Sequence, residues 1–526
     1  MRRFLPPRDV AIAALVSAAL FALSFPPFPF ALAPFALVPI ALIATRAADV
    51  PNRPPREVWR EGARAGWWFG VFGYGIALYW IAIALSIYTK LAVLGYVGAV
   101  VVMAALTSGA LGTYALARRV THLPAAFVFP VAWVAWEKIT EVFPQLAFPW
   151  LPLGLSVATN TRLAQMADLS GVHGGSFWIA AISGLAIDGV VAWRRAEVPS
   201  VGGLVARIGA AAAIVAAVLG YGRARVGTVP LIHAAPVAVV QPNVPQEDKW
   251  QAENQDRIAG MLAAGTRAAA DSGRPRLVVW PEVALPGYID QRPEWRDTIV
   301  RLVRETRTPI LFGIIDVEWH SRPGEPPDYD YYNAAMLADS TGDFRSSPPT
   351  RKQYLVPVVE RVPFLNPKWF GGMRYFGGYG RGQGAVVYRQ PWGAFGVLIC
   401  YESIFPSQSR TLRRSGADLL LNITNDAWFG RSTAPWQHEA HMRLRAIENR
   451  VGVVRSANTG ISEAIDPLGR VRDATELFAP ASRTYATWTT HVTTPYVRFG
   501  DIVGWGSILL AAVLIAGPLG ARRLRR

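Results

Sequence analysis

Cysteine occurs only once in these 526 residues, at position 400. A single thiol excludes an intrachain disulfide and any structural zinc site built on several thiolates. Cys400 is therefore either an inert core residue or a reactive one, and a lone cysteine at the end of an apolar run is more often a buried structural thiol.

Acidic residues are also scarce, because 37 Asp and Glu stand against 53 Lys and Arg and leave a net charge of +16. Such an excess raises nucleic acid as a partner. Much of the arginine, however, lies in short connections between apolar runs, and the stripe of basic and aromatic residues that a nucleic-acid groove needs is not visible. We expect no nucleic-acid partner and interpret the positive charge as a signal of membrane topology.

Long apolar runs fill the first part of the chain and return near its end. A helix needs roughly 20 apolar residues to cross a hydrocarbon core about 30 Å thick. The sequence predicts eight membrane spans, at 9–25, 27–46, 64–86, 91–117, 124–139, 165–193, 204–222 and 501–520. The fifth span is short, and we interpret Glu137 and Lys138 at its end as an interfacial ion pair. A cleavable signal peptide is the alternative for 1–25, but further spans follow at once.

The connections between these spans differ in charge. Arginine-rich segments lie before the first span, between the second and third, after the fourth, between the sixth and seventh, and after the eighth, whereas the alternate connections contain only Lys90, Lys138 and Arg162. The positive-inside rule makes the arginine-rich side cytoplasmic. The predicted organisation is a membrane domain over 1–222, a non-cytoplasmic domain over 223–500, and a last membrane helix with a basic cytoplasmic tail over 501–526.

From Pro236 onwards, short β-rich runs alternate with helical ones, which is typical of an α/β domain. Strands are predicted at 237–240, 277–280, 310–315, 396–400, 419–423 and 451–455. Helices are predicted around 252–271, 293–306, 404–415 and 436–449. Glu282 and Cys400 then stand at the carboxyl ends of strands, Glu282 after one and Cys400 as the last residue of another, where open α/β sheets collect their reacting groups.

Glu282, Lys352 and Cys400 offer the chemistry of acyl transfer. A carboxylate supplies a base for the thiol, and an ammonium group stabilises both a thiolate and a developing oxyanion. Spacing alone does not show that the three meet, and a helix cap and a solvated lysine are the plain alternatives for Glu282 and Lys352. His438 and His441 have a spacing that can bind metal, but a helical surface or core role is favoured because no third ligand stands nearby.

Four runs of sequence resemble the nitrilase superfamily of carbon–nitrogen hydrolases, whose members use a Glu, Lys and Cys triad. They are VVWPEVALPG, RKQYLVPVVERVPF, GVLICYESIFP and LLLNITNDAWFG. With membrane spans on both sides of this region, the whole chain resembles the apolipoprotein N-acyltransferase family. The resemblance implies a polytopic α-helical membrane domain plus an α/β nitrilase-like domain with an α-β-β-α sandwich.

The resemblance also implies roles for particular residues. Glu282 corresponds to the general base, Lys352 to the oxyanion-stabilising lysine and Cys400 to the nucleophile, and Glu360 corresponds to a second active-site glutamate. The family usually has Phe-Gly-Glu where this chain reads Val358, Val359 and Glu360, so the placement of Glu360 is the open point. The residues implied to bind substrate or support the site are Trp250, Tyr401 and Glu402.

The implied reaction moves an acyl chain from a phospholipid, through a thioester on Cys400, to the α-amine of a diacylglyceryl-cysteine at an apolipoprotein's N-terminus. It needs no metal or other cofactor, and the protein is expected to act as a monomer in the bacterial inner membrane with its catalytic domain in the periplasm. The glycine- and aromatic-rich segment 362–380 is a candidate mobile lid. A membrane-anchored amidase or nitrilase, which passes the acyl group to water, and a transporter with a degenerate binding domain are the alternatives.

Overall fold

The computed structural model describes residues 5–86, 92–195, 200–320, 329–365 and 378–524. The chain divides into two compact units. The helical unit comprises Met1–Thr228 and Arg498–Arg526, and the α/β unit comprises Val229–Val497. Most of the segment predicted as a lid, residues 366–377, lies outside the described residues.

The helical unit contains the apolar runs of the sequence. Its helices are α1 (Arg8–Ala22), α2 (Ala33–Ala36), α3 (Val38–Asp49), α4 (Pro55–Ala77), α5 (Trp80–Ser86), α6 (Ala92–Thr121), α7 (Ala125–Val142), α8 (Thr161–Ala164), α9 (Ala167–Ser170), α10 (Val172–Arg195), α11 (Val201–Thr228) and, near the end of the chain, α18 (Ile502–Leu524).

Within the described residues, five helical segments are long and apolar enough to cross a membrane. They are Phe30–Asp49, Ala92–Thr121, Val172–Arg195, Val201–Thr228 and Ile502–Gly520. Helices α4 and α5, which are bent by 57° at their break, count as a sixth if the pair forms one span. The other two predicted spans coincide with α1, which has 15 residues, and with α7, which includes three charged side chains. The eight-span topology stays a prediction.

Close packing of α4 against α6 depends on three glycines spaced four residues apart. A Cβ atom at Gly62 would lie 2.6 Å from the Leu111 carbonyl oxygen. One at Gly66 would lie 2.2 Å from the Thr107 carbonyl oxygen, and one at Gly70 would lie 2.4 Å from the Ala104 Cα. Small residues at this spacing let two helix backbones approach closely, which is how helices associate in membranes.

The predicted ion pair between Glu137 and Lys138 is wrong. Lys138 Nζ lies 2.8 Å from Glu141 Oε1 and 3.1 Å from Asp501 Oδ2, whereas Glu137 accepts a hydrogen bond from the Trp133 indole at 2.8 Å. Adjacent residues on a helix do not face each other, but residues three apart do. The helix geometry therefore directs Lys138 towards Glu141.

The described part of the α/β unit contains twelve strands in two six-stranded sheets with the orders β12-β1-β2-β3-β4-β5 and β11-β10-β9-β8-β7-β6. The strands are β1 (Ile232–Gln241), β2 (Leu277–Val279), β3 (Ile310–Trp319), β4 (Tyr329–Ala338), β5 (Thr350–Arg351), β6 (Val387–Gln390), β7 (Gly393–Ile399), β8 (Leu419–Thr424), β9 (Gly452–Ala457), β10 (Glu463–Ile465), β11 (Val471–Ala474) and β12 (Ala481–Thr489). The helices that follow α11 are α12 (Gln246–Lys249), α13 (Gln255–Gly273), α14 (Pro293–Thr306), α15 (Pro406–Arg414), α16 (Ala434–Asn449) and α17 (Pro495–Phe499).

Alternate strand residues face different layers of the α/β unit. Val237 and Val239 of β1 lie in a core shared with β7 and β8 of the other sheet, whereas Ala238 and Val240 pack in a core with α13 and α14. In the second sheet, Leu398 packs with α15 and α16. The layers therefore run helix, sheet, sheet, helix, and the predicted α-β-β-α sandwich is confirmed. All six predicted strands and four predicted helices overlap observed elements.

Candidate active site

Cys400 lies directly after β7, at the start of a 3₁₀ helix over Cys400–Ile404. Its backbone has a φ of +53°, a left-handed conformation that non-glycine residues adopt at a cost of about 1–3 kcal/mol and that is concentrated at functional sites. The residue is 8% exposed. The turn thus places the thiol at the carboxyl end of a parallel strand.

Glu282 follows β2 in the other sheet and is buried. Its Oε1 atom accepts hydrogen bonds from Asn333 Nδ2 at 2.7 Å and from Lys352 Nζ at 3.3 Å. The next residue, Val283, has a φ of +43°, which is rare for a β-branched side chain. The chain therefore makes a strained turn at the point where it presents the carboxylate.

Lys352 lies just after β5 and is 1% exposed. Its Nζ atom donates to Glu360 Oε1 at 2.8 Å as well as to Glu282. Burial lowers the pKa of Lys352, but the carboxylates of Glu360 and Glu282 outweigh it and hold that pKa well above its usual value. The structure therefore keeps a charged ammonium between two carboxylates.

Glu360 joins this cluster despite the sequence change that left its placement open. Its Oε1 atom accepts from Lys352 and, at 3.0 Å, from Asn333, and its Oε2 atom accepts from the backbone N–H of Val356 at 2.8 Å. Val358 has a φ of +71°. The tight turn that positions Glu360 is thus made at Val358.

Burial raises the pKa of the Cys400 thiol well above its usual value, and the charge of Glu282 raises it further, while Lys352 acts in the opposite direction. The thiol is therefore protonated at neutral pH. A buried protonated thiol is a poor nucleophile until a base removes its proton. Glu282 is the carboxylate whose charge acts most strongly on this thiol among those described.

The three remaining predicted residues differ in their surroundings. Glu402 is buried, and its carboxylate accepts from the backbone N–H groups of Ile399 at 2.8 Å and Gln353 at 2.6 Å, which ties the cysteine turn to the lysine segment. Burial raises the pKa of Glu402 to about 7, against the effect of these hydrogen bonds. Tyr401 is buried with its ring 5.2 Å from that of Phe405. Trp250 is 46% exposed at the end of α12.

Sequence reasoning missed Asn333, which donates to both Glu282 and Glu360. It lies on β4, a strand that we did not predict, so no pattern singled it out. His438 contacts the turn at Cys400, with Nδ1 3.0 Å from Asp426 Oδ1 and Nε2 3.2 Å from the Cys400 carbonyl oxygen. His438 is thus part of a buried network that supports the cysteine turn.

Glu360→Gln tests whether the second glutamate takes part in the reaction. Glutamine has the shape of glutamate, but it lacks the charge that faces Lys352 and presents an amide to the Val356 N–H. We expect turnover to fall by at least about tenfold, a barrier increase of about 1.4 kcal/mol, with cooperative thermal unfolding retained. Turnover within about twofold of wild type would remove Glu360 from the site, since less than about 0.5 kcal/mol is too small for a catalytic role.

The double-sheet sandwich with a cysteine at a strand end places the α/β unit in the carbon–nitrogen hydrolase class. The family model described as "Carbon-nitrogen hydrolase" matches residues 236–479. A solved amidase from Nesterenkonia sp. is similar over 52% of this chain and 95% of its own, with 17% identity and a TM-score of 0.37.

The helical unit and full-length relatives identify the family within that class. The family model "Apolipoprotein N-acyltransferase N-terminal domain" matches residues 17–185. An apolipoprotein N-acyltransferase of Geobacter metallireducens is 34% identical over 97% of this chain and 95% of its own length, and one of Chlorobaculum tepidum is 33% identical over 68% and 70%. The chain belongs to the apolipoprotein N-acyltransferase family. It is therefore an acyltransferase enzyme and a multi-pass bacterial membrane protein.

Proposed function

We propose that the enzyme transfers an acyl chain from a phospholipid to the α-amine of an apolipoprotein's N-terminal diacylglyceryl-cysteine, in two steps through Cys400. In the first step Glu282 takes the thiol proton and the thiolate attacks the ester carbonyl. Lys352 stabilises the tetrahedral oxyanion. The carbon–oxygen bond then breaks, the lysophospholipid leaves with the proton from Glu282, and a thioester remains on Cys400.

In the second step the neutral α-amine attacks the thioester carbonyl, again opposite Lys352. Glu282 takes a proton from the attacking nitrogen, and the carbon–sulfur bond breaks. Cys400 leaves as thiolate and regains a proton, so the products are an amide and the starting thiol. The two half-reactions share one covalent intermediate, which predicts ping-pong kinetics.

The observation that carries this mechanism is the meeting of Lys352 with Glu282 and Glu360 in one buried cluster that acts electrostatically on Cys400. These residues come from three separate segments of the chain. An ammonium group whose charge already acts on the thiol can stabilise the charge that develops in both tetrahedral intermediates without reorganisation during the reaction. No metal or other cofactor is required.

We assign supporting roles to three further residues. Glu402 holds the nucleophile turn through its hydrogen bonds with Ile399 and Gln353. Tyr401 follows the nucleophile and is proposed to line the acyl site, and Trp250, whose side chain is half-exposed, is proposed to contact substrate.

The membrane setting follows from the substrates. Both carry acyl chains, and moving such chains into water costs about 0.8 kcal/mol per methylene. We propose that the enzyme acts as a monomer in the inner membrane, with eight spans, arginine-rich connections in the cytoplasm and residues 223–500 in the periplasm.

Reporter fusions test this topology. Fusions near residues 55, 120 and 200 are expected to give cytoplasmic signals, because these positions lie in arginine-rich connections. A fusion near residue 300 is expected to give a periplasmic signal. A cytoplasmic signal at residue 300 would overturn the eight-span arrangement.

The reaction is tested with purified enzyme, labelled phospholipid and a diacylglyceryl peptide. Enzyme given phospholipid alone is expected to accumulate a labelled thioester, which a peptide with a free α-amine discharges as an amide and an N-blocked peptide does not. Rapid release of free fatty acid without any acceptor would instead support the amidase or nitrilase alternative.

A further inference from the structure

Lysine is rare in this chain, accounting for five of the 53 basic residues, at positions 90, 138, 249, 352 and 368. Among the residues that the structure describes, Lys249 and Lys352 are buried in the α/β unit. Most of the other basic residues are arginines, whose side chains are effectively always charged, whereas the pKa of a buried lysine shifts readily. The mechanism above uses Lys352 and leaves Lys249 without a role.

Lys249 is the last residue of α12 and is 3% exposed. Its Nζ atom donates to the backbone carbonyl oxygen of Glu282 at 2.9 Å. That carbonyl precedes Val283, the residue with a φ of +43°. Gly313 packs against the same turn, since a Cβ there would lie 2.4 Å from the Pro281 carbonyl oxygen. The Glu282 turn is therefore in contact with both Gly313 and the ammonium group of Lys249.

The charge of Lys249 also acts on the reacting groups. Among the described residues, the ionisable groups that act on this ammonium most strongly are the Glu282 carboxylate and the Cys400 thiol. Lys352 and Glu360 lie beyond Glu282 in the same cluster. A positive charge near Cys400 favours the thiolate over the thiol.

We propose that Lys249 is a positioning residue for acyl transfer, which fixes the Glu282 turn through its hydrogen bond and favours the Cys400 thiolate through its charge. This role rests on the thioester mechanism proposed above. Lys249 acts through Glu282 and Cys400 and is not assigned a contact with substrate.

The energetics of Lys249 support a role in activity over one in folding. Burial lowers the pKa of Lys249 to about 8, although Glu282 and Cys400 act to raise it. Between that value and the usual lysine pKa of about 10.4, the unfolded chain binds more protons than the folded one, so stability rises with pH there. At neutral pH the folded enzyme therefore keeps an ammonium group in an environment that disfavours it.

The test compares Lys249→Met and Lys249→Gln with wild type. Methionine removes both the hydrogen bond and the charge, and glutamine removes the charge but keeps a donor. We expect both variants to shift the acid limb of the acylation pH profile to higher pH. For Lys249→Met the shift is about one pH unit, which corresponds to about tenfold slower acylation on the acid side of the profile. We expect the melting temperature of Lys249→Met at pH 7 to equal or exceed that of wild type.

Asp248→Asn is the matched control, because Asp248 is the neighbouring residue and its side chain is 41% exposed. It is expected to keep the wild-type pH profile. A wild-type pH profile in both Lys249 variants would overturn the proposal. If the melting temperature of these variants were also lowered, Lys249 would be a purely structural residue. If wild-type enzyme forms no thioester, the proposed mechanism itself fails, and the two failures are thereby distinguished.

Discussion

Cys400→Ala is expected to form neither acyl-enzyme nor triacylated product. The substitution removes the only thiol in the chain, so neither half-reaction has a nucleophile. Cys400→Ser is expected to be nearly inactive, with turnover reduced by at least about 10³-fold, because a hydroxyl is a weak nucleophile at its free pKa. Glu282 would be a poor base for it.

Intact-protein mass spectrometry checks this prediction. Wild-type enzyme incubated with phospholipid should gain the mass of one acyl chain, and hydroxylamine should remove it because thioesters are cleaved by this reagent. Neither variant should gain the mass, although both should unfold at close to the wild-type temperature because the side chains are similar in size. Acylated Cys400→Ala, or a wild-type Cys400 that stays unmodified, would contradict the covalent mechanism.

Lys352→Met is expected to lower both activity and stability strongly. Loss of an oxyanion-stabilising donor reduces turnover by about 10²–10³-fold. The same change leaves Glu282 and Glu360 facing each other in a buried site without the ammonium that now bridges them. Removing one partner of a buried ion pair costs about 3–5 kcal/mol of folding free energy, because the other charge stays buried without compensation.

The pH dependence of this loss has a definite sign. The folded-state pKa of Lys352 is raised, so its stabilising contribution is fully present below the unfolded-state pKa of about 10.4 and is lost as pH rises through the folded value. The stability deficit of Lys352→Met should therefore be large at pH 7 and shrink only as pH rises through the folded-state pKa of Lys352.

A double variant separates the two effects of Lys352→Met. Adding Glu360→Gln removes one of the two unpaired charges, so urea denaturation should show much of the lost stability restored. Turnover should stay low, because the proposed oxyanion-stabilising ammonium group is still missing. Recovery of activity together with stability would show that Lys352 acts only in folding.

The sequence by itself determined the architecture, and it predicted which residues react. Apolar runs marked the helical unit, and short β-rich runs marked the strands after which Glu282 and Cys400 lie, because the alternation of buried and exposed positions is a local property of each strand. The motifs around Glu282, Lys352 and Cys400 carried a family resemblance that the relatives bear out at the level of the family. The charge difference between connections provided a topology that fusions can test.

The tertiary structure decided which of these groups meet, and it also decided their electrostatics. Lys352 contacts Glu360 and Glu282, which are 8 and 70 residues away in the chain, and Lys249 contacts the Glu282 carbonyl 33 residues away. The bridging role of Asn333 and the pairing of Lys138 with Glu141 and Asp501 likewise had no signal in local sequence. Periodicity reports which face of an element is buried, whereas the partner of a buried charge is set by strand order, turn geometry and the packing of distant segments.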